Sequence, residues 1–149
     1  MPAIPPDLFE RESLDKTLGI EYEELTADRV VATMPVGPRV HQPLGYLHGG
    51  ASVVLAESVA SMGANATAFP QGKAAFGLEI NANHLRPVRE GVLRAVAAPL
   101  HKGRTTHVWE VRISDEAGRL VCAARCTLAL VDAEARAEAA GSPHSQSTA

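Results

Sequence analysis

The sequence has few aromatic residues, few cysteines and no long apolar run. Only 4% of its 149 residues are Phe, Trp or Tyr, and only two are Cys. No segment approaches the roughly 20 consecutive apolar residues that cross a bilayer. The first residues, MPAIPPDLFERESLDK, lack the basic start and apolar stretch of a secretory signal. We therefore expect no membrane span and a cytoplasmic location.

Positive charge is also scarce. Fourteen Lys and Arg stand against seventeen Asp and Glu, which leaves a formal charge of -3. No long basic block is present to neutralise a nucleic-acid backbone. The six histidines and two cysteines do not have the spacing of zinc ligands. Neither nucleic acid nor a metal ion is therefore expected as a partner.

The apolar content is sufficient for one hydrophobic core. Hydrophobic residues make up 46% of the chain, a length and composition typical of one domain. We expect this domain over residues 1–131, with residues 1–20 as a lead-in, and a disordered tail over 132–149, where apolar side chains are few. Cys122 and Cys126, four residues apart in a predicted strand, share one face and are expected to be reduced core thiols.

The order of predicted elements indicates an α+β domain. A short helix within 7–20 ends at Gly19, and a strand follows at 27–36. The alanine-rich stretch from Gly49 to Phe69 predicts one long helix, apolar on nearly all sides and therefore buried. Strands are predicted at 74–83, 90–100, 104–114 and 119–131, with apolar alternation clearest at Trp109, Val111 and Ile113 and a hairpin turn at 115–118. An antiparallel sheet curled around a central helix is the hotdog fold.

Glu57 is the first candidate for chemistry. It lies within the apolar long helix, and a charged side chain is seldom buried unless something pairs with it. Ser61, one turn later, shares its face and could help to hold a water or a substrate group. The alternatives for Glu57 are a small exposed strip of the helix or an ion pair with an arginine from the sheet.

The start of the long helix is the second candidate. In His48-Gly49-Gly50, glycines allow a ligand to approach the backbone, and the first N–H groups of a helix are free donors at its positive end. Such donors could stabilise a developing oxyanion. A tight loop that enters a helix, with a packed histidine, is the alternative.

Two segments resemble a known family. QPLGYLHGGASVVLAESVAS and GLEINANHLRPVREG are similar to hotdog acyl-CoA thioesterases of the PaaI-like type, in particular 1,4-dihydroxy-2-naphthoyl-CoA thioesterases and enterobactin-pathway proofreading thioesterases. The resemblance extends from Leu18 to Val131. Its most specific part is Gln42, then five residues, His-Gly-Gly, and Glu57 nine residues after His48.

The resemblance implies a role for each residue of the motif. The Gly49 N–H and the Gln42 amide would hold the thioester carbonyl, and His48 would orient the thioester end of the ligand. Glu57 would act as nucleophile or general base, with Ser61 positioning the hydrolytic water. The reaction would need no cofactor, because coenzyme A is part of the substrate.

Substrate contacts and assembly are implied as well. Each site would lie between two subunits of a homodimer, which would assemble further into a homotetramer. The loops HLRPVREG and HKGRT could contact the CoA phosphates, although solvated strand-end charges would look the same. The predicted substrate contacts are Gly50, Met62, His84, Leu85, Arg86, Arg89, Lys102, Gly103 and Arg104.

Two other functions fit the same fold. Hotdog dehydratases act on β-hydroxyacyl chains, but their His-Phe-Pro-Gly pattern is absent here. A non-catalytic acyl-CoA-binding protein would keep Gln42 and Gly49 and use Glu57 only in a structural pair. Because the motif is complete, the sequence favours hydrolysis of aromatic and medium- or long-chain acyl-CoA thioesters.

Overall fold

Two helices and six strands follow one another along residues 4–133, the part of the chain that this computed structural model describes. Short 3-10 turns lie at Pro6–Phe9, Pro38–Val40 and Phe69–Gln71. The elements are α1 (Leu14–Leu18), β1 (Glu21–Leu25), β2 (Val30–Val36), α2 (Gly49–Ala68), β3 (Lys73–His84), β4 (Gly91–Lys102), β5 (Thr106–Ser114) and β6 (Leu120–Asp132).

The six strands form one antiparallel sheet in the order β1-β2-β4-β5-β6-β3. Helix α2 packs against this sheet and contacts every strand of it. The predicted α+β arrangement, one long helix against an antiparallel sheet, is therefore present. β1 and β3 are the outer strands, and β3, with 12 residues, is the longer of the two.

The core lies between α2 and the sheet. Leu55 and Val59 of the helix are fully buried, and the indole of Trp109 packs against Gly63, where an added Cβ would overlap the ring. Trp109, Val111 and Ile113 alternate inward along β5, as the sequence predicts. A glycine inside the helix is thus required for close packing rather than for flexibility.

The prediction that α2 is buried on all sides is wrong for the single chain. One strip of the helix is only half-buried, and Glu57 belongs to it. The sheet covers one side of the helix, and nothing within residues 4–133 fully covers the other. The half-buried strip consists of Val53, Val54, Glu57, Ser58, Ser61, Met62 and Asn65.

The N-terminal prediction needs two corrections. The single helix predicted within 7–20 is two pieces, a 3-10 turn at Pro6–Phe9 and α1, because the Ser13 side chain caps α1 by accepting from Lys16 N–H at 3.3 Å. Gly19 ends α1 as predicted, with a positive φ of 70°. β1 was not predicted; it pairs with β2 despite three glutamates in EYEEL.

The C-terminal half agrees closely with the sequence. In the 115–118 turn, Asp115 accepts from Arg119 N–H at 2.9 Å, and Gly118 has a φ of 75°. Cys122 and Cys126 are free and buried, as predicted. β6 ends at Asp132, one residue beyond the predicted boundary, and the rest of the predicted tail lies outside the described residues. No helix within residues 4–133 is long and apolar enough to cross a bilayer.

His107, at the start of β5, is a buried titratable group. Its side chain is 1% exposed, and its Nδ1 has no hydrogen-bond partner within residues 4–133. Burial, then the positive Lys102 and the neighbouring His101, lower the pKa of His107 below its usual value. The folded protein therefore binds this proton less readily than the unfolded chain does.

Acid should consequently destabilise the protein through His107. The contribution is absent above the unfolded pKa of about 6.5 and grows as the pH falls from there toward the folded pKa. We expect the urea midpoint of the native protein to fall more steeply than that of His107→Leu between about pH 7 and pH 5. Parallel curves for the two proteins would contradict this expectation.

Candidate active site

The first half of the site is the start of α2. His48 caps the helix, and its Nδ1 accepts a hydrogen bond from Gly50 N–H at 2.8 Å. A neutral His48 therefore carries its proton on Nε2, which remains a donor. Gly49 N–H has no acceptor within residues 4–133, so it is the free donor of this turn. Because His48 occupies Gly50 N–H, the predicted contact of Gly50 with substrate cannot use that group.

The loop before α2 presents Gln42. The side-chain Oε1 of Gln42 accepts from Leu44 N–H, and Gln42 N–H donates to the Tyr46 carbonyl at 2.7 Å. Since its oxygen is held by the loop, the NH2 group of Gln42 is the end left for a ligand. The sequence motif thus provides two donors, Gly49 N–H and the Gln42 amide, beside one cavity.

His84 closes this cavity from the sheet side. It ends β3, and its Nε2 lies 2.8 Å from the position that a Cβ on Gly49 would occupy. Any side chain at position 49 would therefore collide with the His84 ring. The cavity has a volume of about 390 Å³ and is also lined by Tyr46, Leu47, Ser52, Leu85, Arg86, Pro87 and Val121.

Glu57 belongs to a second cavity of about 300 Å³ on the half-buried strip of α2. Ser61 and Met62 line it beside Glu57, so the structure brings these three predicted site residues together. Its remaining lining residues are Leu14, Asp15, Tyr22, Val54 and Ser58.

Gly77 of β3 has no side chain and therefore leaves room for the Glu57 carboxylate. A Cβ on Gly77 would overlap Oε1 of Glu57, so this carboxylate lies directly over the strand backbone. The strand pairing shifts register between Gly77 and Glu79, which marks a β-bulge beside the contact. Burial, followed by the charges of Glu57 and Glu79, raises the pKa of Cys126 to about 12, so the thiol stays protonated at neutral pH. No pattern in the sequence singled out Gly77 as a site residue.

Asp15, Tyr22 and Ser58 were also not predicted for the site. Ser58 Oγ donates to Asp15 Oδ1 at 2.6 Å, and Tyr22 OH donates to Asp15 Oδ2 at 2.7 Å. Burial, then the neighbouring Asp15, raises the pKa of the Tyr22 phenol well above its usual value, which keeps it a donor. Contacts 43 and 7 residues apart in the chain leave no local sequence pattern.

Within one chain the two cavities are separate. They share no lining residue. Glu57 follows Gly49 by eight residues, which at a rise of about 1.5 Å per residue places it about 12 Å further along the helix axis. A thioester carbonyl held at Gly49 is therefore out of reach of Glu57 in the same chain, since reacting atoms must approach to about 3–3.5 Å.

The predicted phosphate-binding residues lie at two ends of β4. Arg86 lines the cavity at the helix start, and Arg89 stacks on the Tyr46 ring, with its guanidinium carbon 4.3 Å from the centroid. Lys102 ends β4, roughly 36 Å along the strand from Gly91, and Gly103 and Arg104 come directly after it. There Lys102 Nζ pairs with Asp28 Oδ1 at 2.5 Å. One chain does not bring these residues together.

Residues 44–122 match the family described as the Thioesterase superfamily. The chain belongs to this superfamily. It is 48% identical over 117 residues to the 1,4-dihydroxy-2-naphthoyl-CoA hydrolase of Listeria monocytogenes, covering 78% of this chain and 94% of that protein. It is 47% identical over 119 residues to the proofreading thioesterase EntH of Cronobacter turicensis, covering 80% and 86%.

Solved structures agree. A mutant thioesterase from Pseudomonas aeruginosa superposes with a TM-score of 0.79 at 46% identity, covering 84% of this chain and 90% of that one. This member of the superfamily is thus a thioester hydrolase with the hotdog fold, which confirms the family, fold and reaction predicted from sequence. The roles of individual residues stay predictions. Residues 4–133 contain no group of three or more His, Cys, Asp and Glu that could hold a metal ion.

Proposed function

We propose that this thioesterase hydrolyses acyl-CoA thioesters in a site made by two chains. Gly49 N–H and the Gln42 amide of one chain polarise the thioester carbonyl, and Glu57 of a second chain attacks it or activates a water. The observation that carries this proposal is the separation of the two half-sites within one chain. Each half has the groups that the other lacks.

The proposed reaction uses these residues and one water. An oxygen of Glu57, or of a water that Glu57 deprotonates and Ser61 positions, forms a bond to the carbonyl carbon. The carbonyl oxygen gains negative charge beside the Gly49 and Gln42 donors, which stabilise it. The carbon–sulfur bond then breaks, and CoA leaves as a thiolate that takes up a proton. On the water route this step gives the free acid. On the direct route it gives an acyl–Glu57 anhydride, which a water cleaves to the free acid and the Glu57 carboxylate.

We infer that two copies pair through β3, which would bring the Gly49 half-site of one copy next to the Glu57 half-site of the other. The outer edge of β3 has no partner strand within residues 4–133, and Leu78 on it is 64% exposed. Long exposed edges of this kind pair readily with another chain. His84 reaches Gly49, while Gly77 lies against Glu57. Antiparallel pairing with His84 of one copy opposite Gly77 of the other would bring both halves together, and two such dimers would form the tetramer.

The relatives support the substrate class. One relative is named as a 1,4-dihydroxy-2-naphthoyl-CoA hydrolase and another as a proofreading thioesterase. We propose that this chain hydrolyses aromatic acyl-CoA thioesters, with medium- and long-chain acyl-CoA as further substrates. Met62 at Glu57 and Leu85 near Gly49 would contact the acyl group. His84 would approach the pantetheine or acyl group, and Arg86 the phosphates.

Because CoA thioesters are intracellular and both cysteines are unpaired, we place the protein in the cytoplasm.

Release of free thiol from a panel of acyl-CoAs tests the reaction. The panel contains aryl, straight-chain and β-hydroxyacyl thioesters, each followed with a thiol reagent and by chromatography of the acid. Stoichiometric CoA and free acid are expected from the aryl substrates. Dehydration of the β-hydroxyacyl thioester without thiol release would favour the dehydratase. Binding of CoA thioesters without turnover would favour the non-catalytic protein.

A further inference from the structure

The Glu57 cavity contains a second carboxylate that hydrolysis itself does not require. Asp15, from α1, lines the same cavity as Glu57 and is half-buried. Its position is fixed by Ser58, the residue after Glu57, at 2.6 Å and by Tyr22 at 2.7 Å. The N-terminal segment is thereby tied to the helix that carries the reactive carboxylate.

Asp15 has acceptor capacity left after these two bonds. A carboxylate offers about four lone-pair sites, and the Ser58 and Tyr22 hydroxyls occupy one on each oxygen. Both neighbours are donors to Asp15, so neither neutralises its charge. No Lys or Arg lies among the residues that line this cavity, and no ion pair forms to Asp15 within residues 4–133.

The other walls of the cavity are largely apolar. Leu14, Val54 and Met62 surround the space between Asp15 and Glu57. An acyl group whose carbonyl carbon lies at Glu57 would enter this cavity and place its distal atoms against these side chains. A hydrogen-bond donor on such a group would meet Asp15 as an acceptor, whereas a negative charge would face two carboxylates in partly desolvated surroundings.

We propose that Asp15 determines acyl selectivity, favouring acyl groups that carry a hydroxyl or amino donor and excluding those that carry a distal carboxylate. This inference rests on the proposed function, because it assigns Asp15 to the acyl pocket of the Glu57 site. Asp15 acts on binding of the acyl group and takes no part in bond making.

Matched aryl thioesters test this role. We would measure kcat/KM for 4-methyl-, 4-hydroxy- and 4-carboxybenzoyl-CoA and for the corresponding 3-substituted set. The native protein is expected to prefer hydroxyl over methyl by about tenfold or more, the size of one hydrogen bond to a charged group. The carboxylated substrates are expected to be the poorest of each set.

Two variants separate charge from shape. Asp15→Asn keeps the size and an acceptor oxygen but removes the charge, so the methyl-to-carboxyl ratio should fall by about tenfold while the hydroxylated substrate remains preferred. Asp15→Leu removes the acceptor, and the hydroxyl-to-methyl ratio should approach one. Asp7→Asn is the matched control: it removes the same charge from the N-terminal segment at an exposed residue outside the cavity lining, so both ratios should stay near native.

The outcomes distinguish this inference from the reaction itself. Native protein that releases thiol from none of these substrates or from the wider acyl-CoA panel overturns the proposed function and with it the role of Asp15. Native protein that hydrolyses them with ratios unchanged by Asp15→Asn overturns Asp15 alone. Equal changes in both ratios in Asp7→Asn and Asp15→Asn would show that the ratios follow the charge of the N-terminal segment as a whole, which also overturns the role of Asp15. Asp15→Asn keeps the test decisive if Asp15→Leu does not fold.

Discussion

Glu57→Gln is expected to lower kcat on the order of 10³-fold, within the range that a general base or nucleophile contributes. The amide keeps the shape that fits over Gly77 but can neither attack a carbonyl nor accept a proton from water. Affinity for a non-hydrolysable CoA thioether, measured by calorimetry, should change little. The unfolding midpoint should also stay close to native, because Glu57 makes no ion pair within residues 4–133.

Glu23→Gln is the matched control for this substitution. Glu23 lies on β1, at the opposite edge of the sheet from β3, is exposed, and pairs with Arg94 Nε at 3.1 Å. Its substitution removes the same charge without touching the Glu57 cavity lining or the β3 edge. Native kcat in Glu57→Gln, or equal losses in both variants, would exclude Glu57 as the reactive carboxylate.

Gly77→Ala is expected to reduce kcat by about 10²-fold, the effect of displacing a catalytic group by roughly 1 Å. The added methyl group would occupy the place of the Glu57 carboxylate, which must swing away. Because the displaced atoms are the end of a flexible side chain, the thermal unfolding midpoint should move little. The loss should appear in kcat rather than in affinity for the thioether analogue.

Gly37→Ala provides the comparison for Gly77→Ala. A Cβ at Gly37 would meet nothing within 4 Å, and its backbone is extended, with φ at -166°. This variant should keep native turnover. If Gly77→Ala retained native kcat as well, the position of the Glu57 carboxylate over β3 would have no importance for the reaction.

The long elements could be predicted from sequence because their signals are local. The proline-free, alanine-rich stretch indicated a helix from Gly49 to Phe69, and α2 spans Gly49–Ala68. Alternation at Trp109, Val111 and Ile113 indicated β5 and its inward face. β1 could not be predicted in this way, since EYEEL has no apolar alternation and is a strand because β2 pairs with it.

The site residues, too, could be predicted only where their sequence signal is local. Gln42, Gly49 and Glu57 were recognisable because the motif fixes their spacing along one segment. Asp15 and Gly77 reach the Glu57 cavity only through tertiary packing, Asp15 through Ser58 and Gly77 through β3. The apolar pattern of the helix also suggested a buried Glu57, whereas the single chain leaves it half-buried on one strip of α2, closer to the exposed-strip alternative.

Combining two variants, each defective in one half of the site, tests most directly whether Gln42 of one chain works with Glu57 of another. Glu57→Gln and Gln42→Ala would be produced separately and by equal co-expression, and thiol release compared per chain. If sites are shared, random pairing joins a native helix start to a native Glu57 in about a quarter of the sites, so about a quarter of native activity should return. Activity of the mixture no greater than the average of the two variants alone would contradict the shared site.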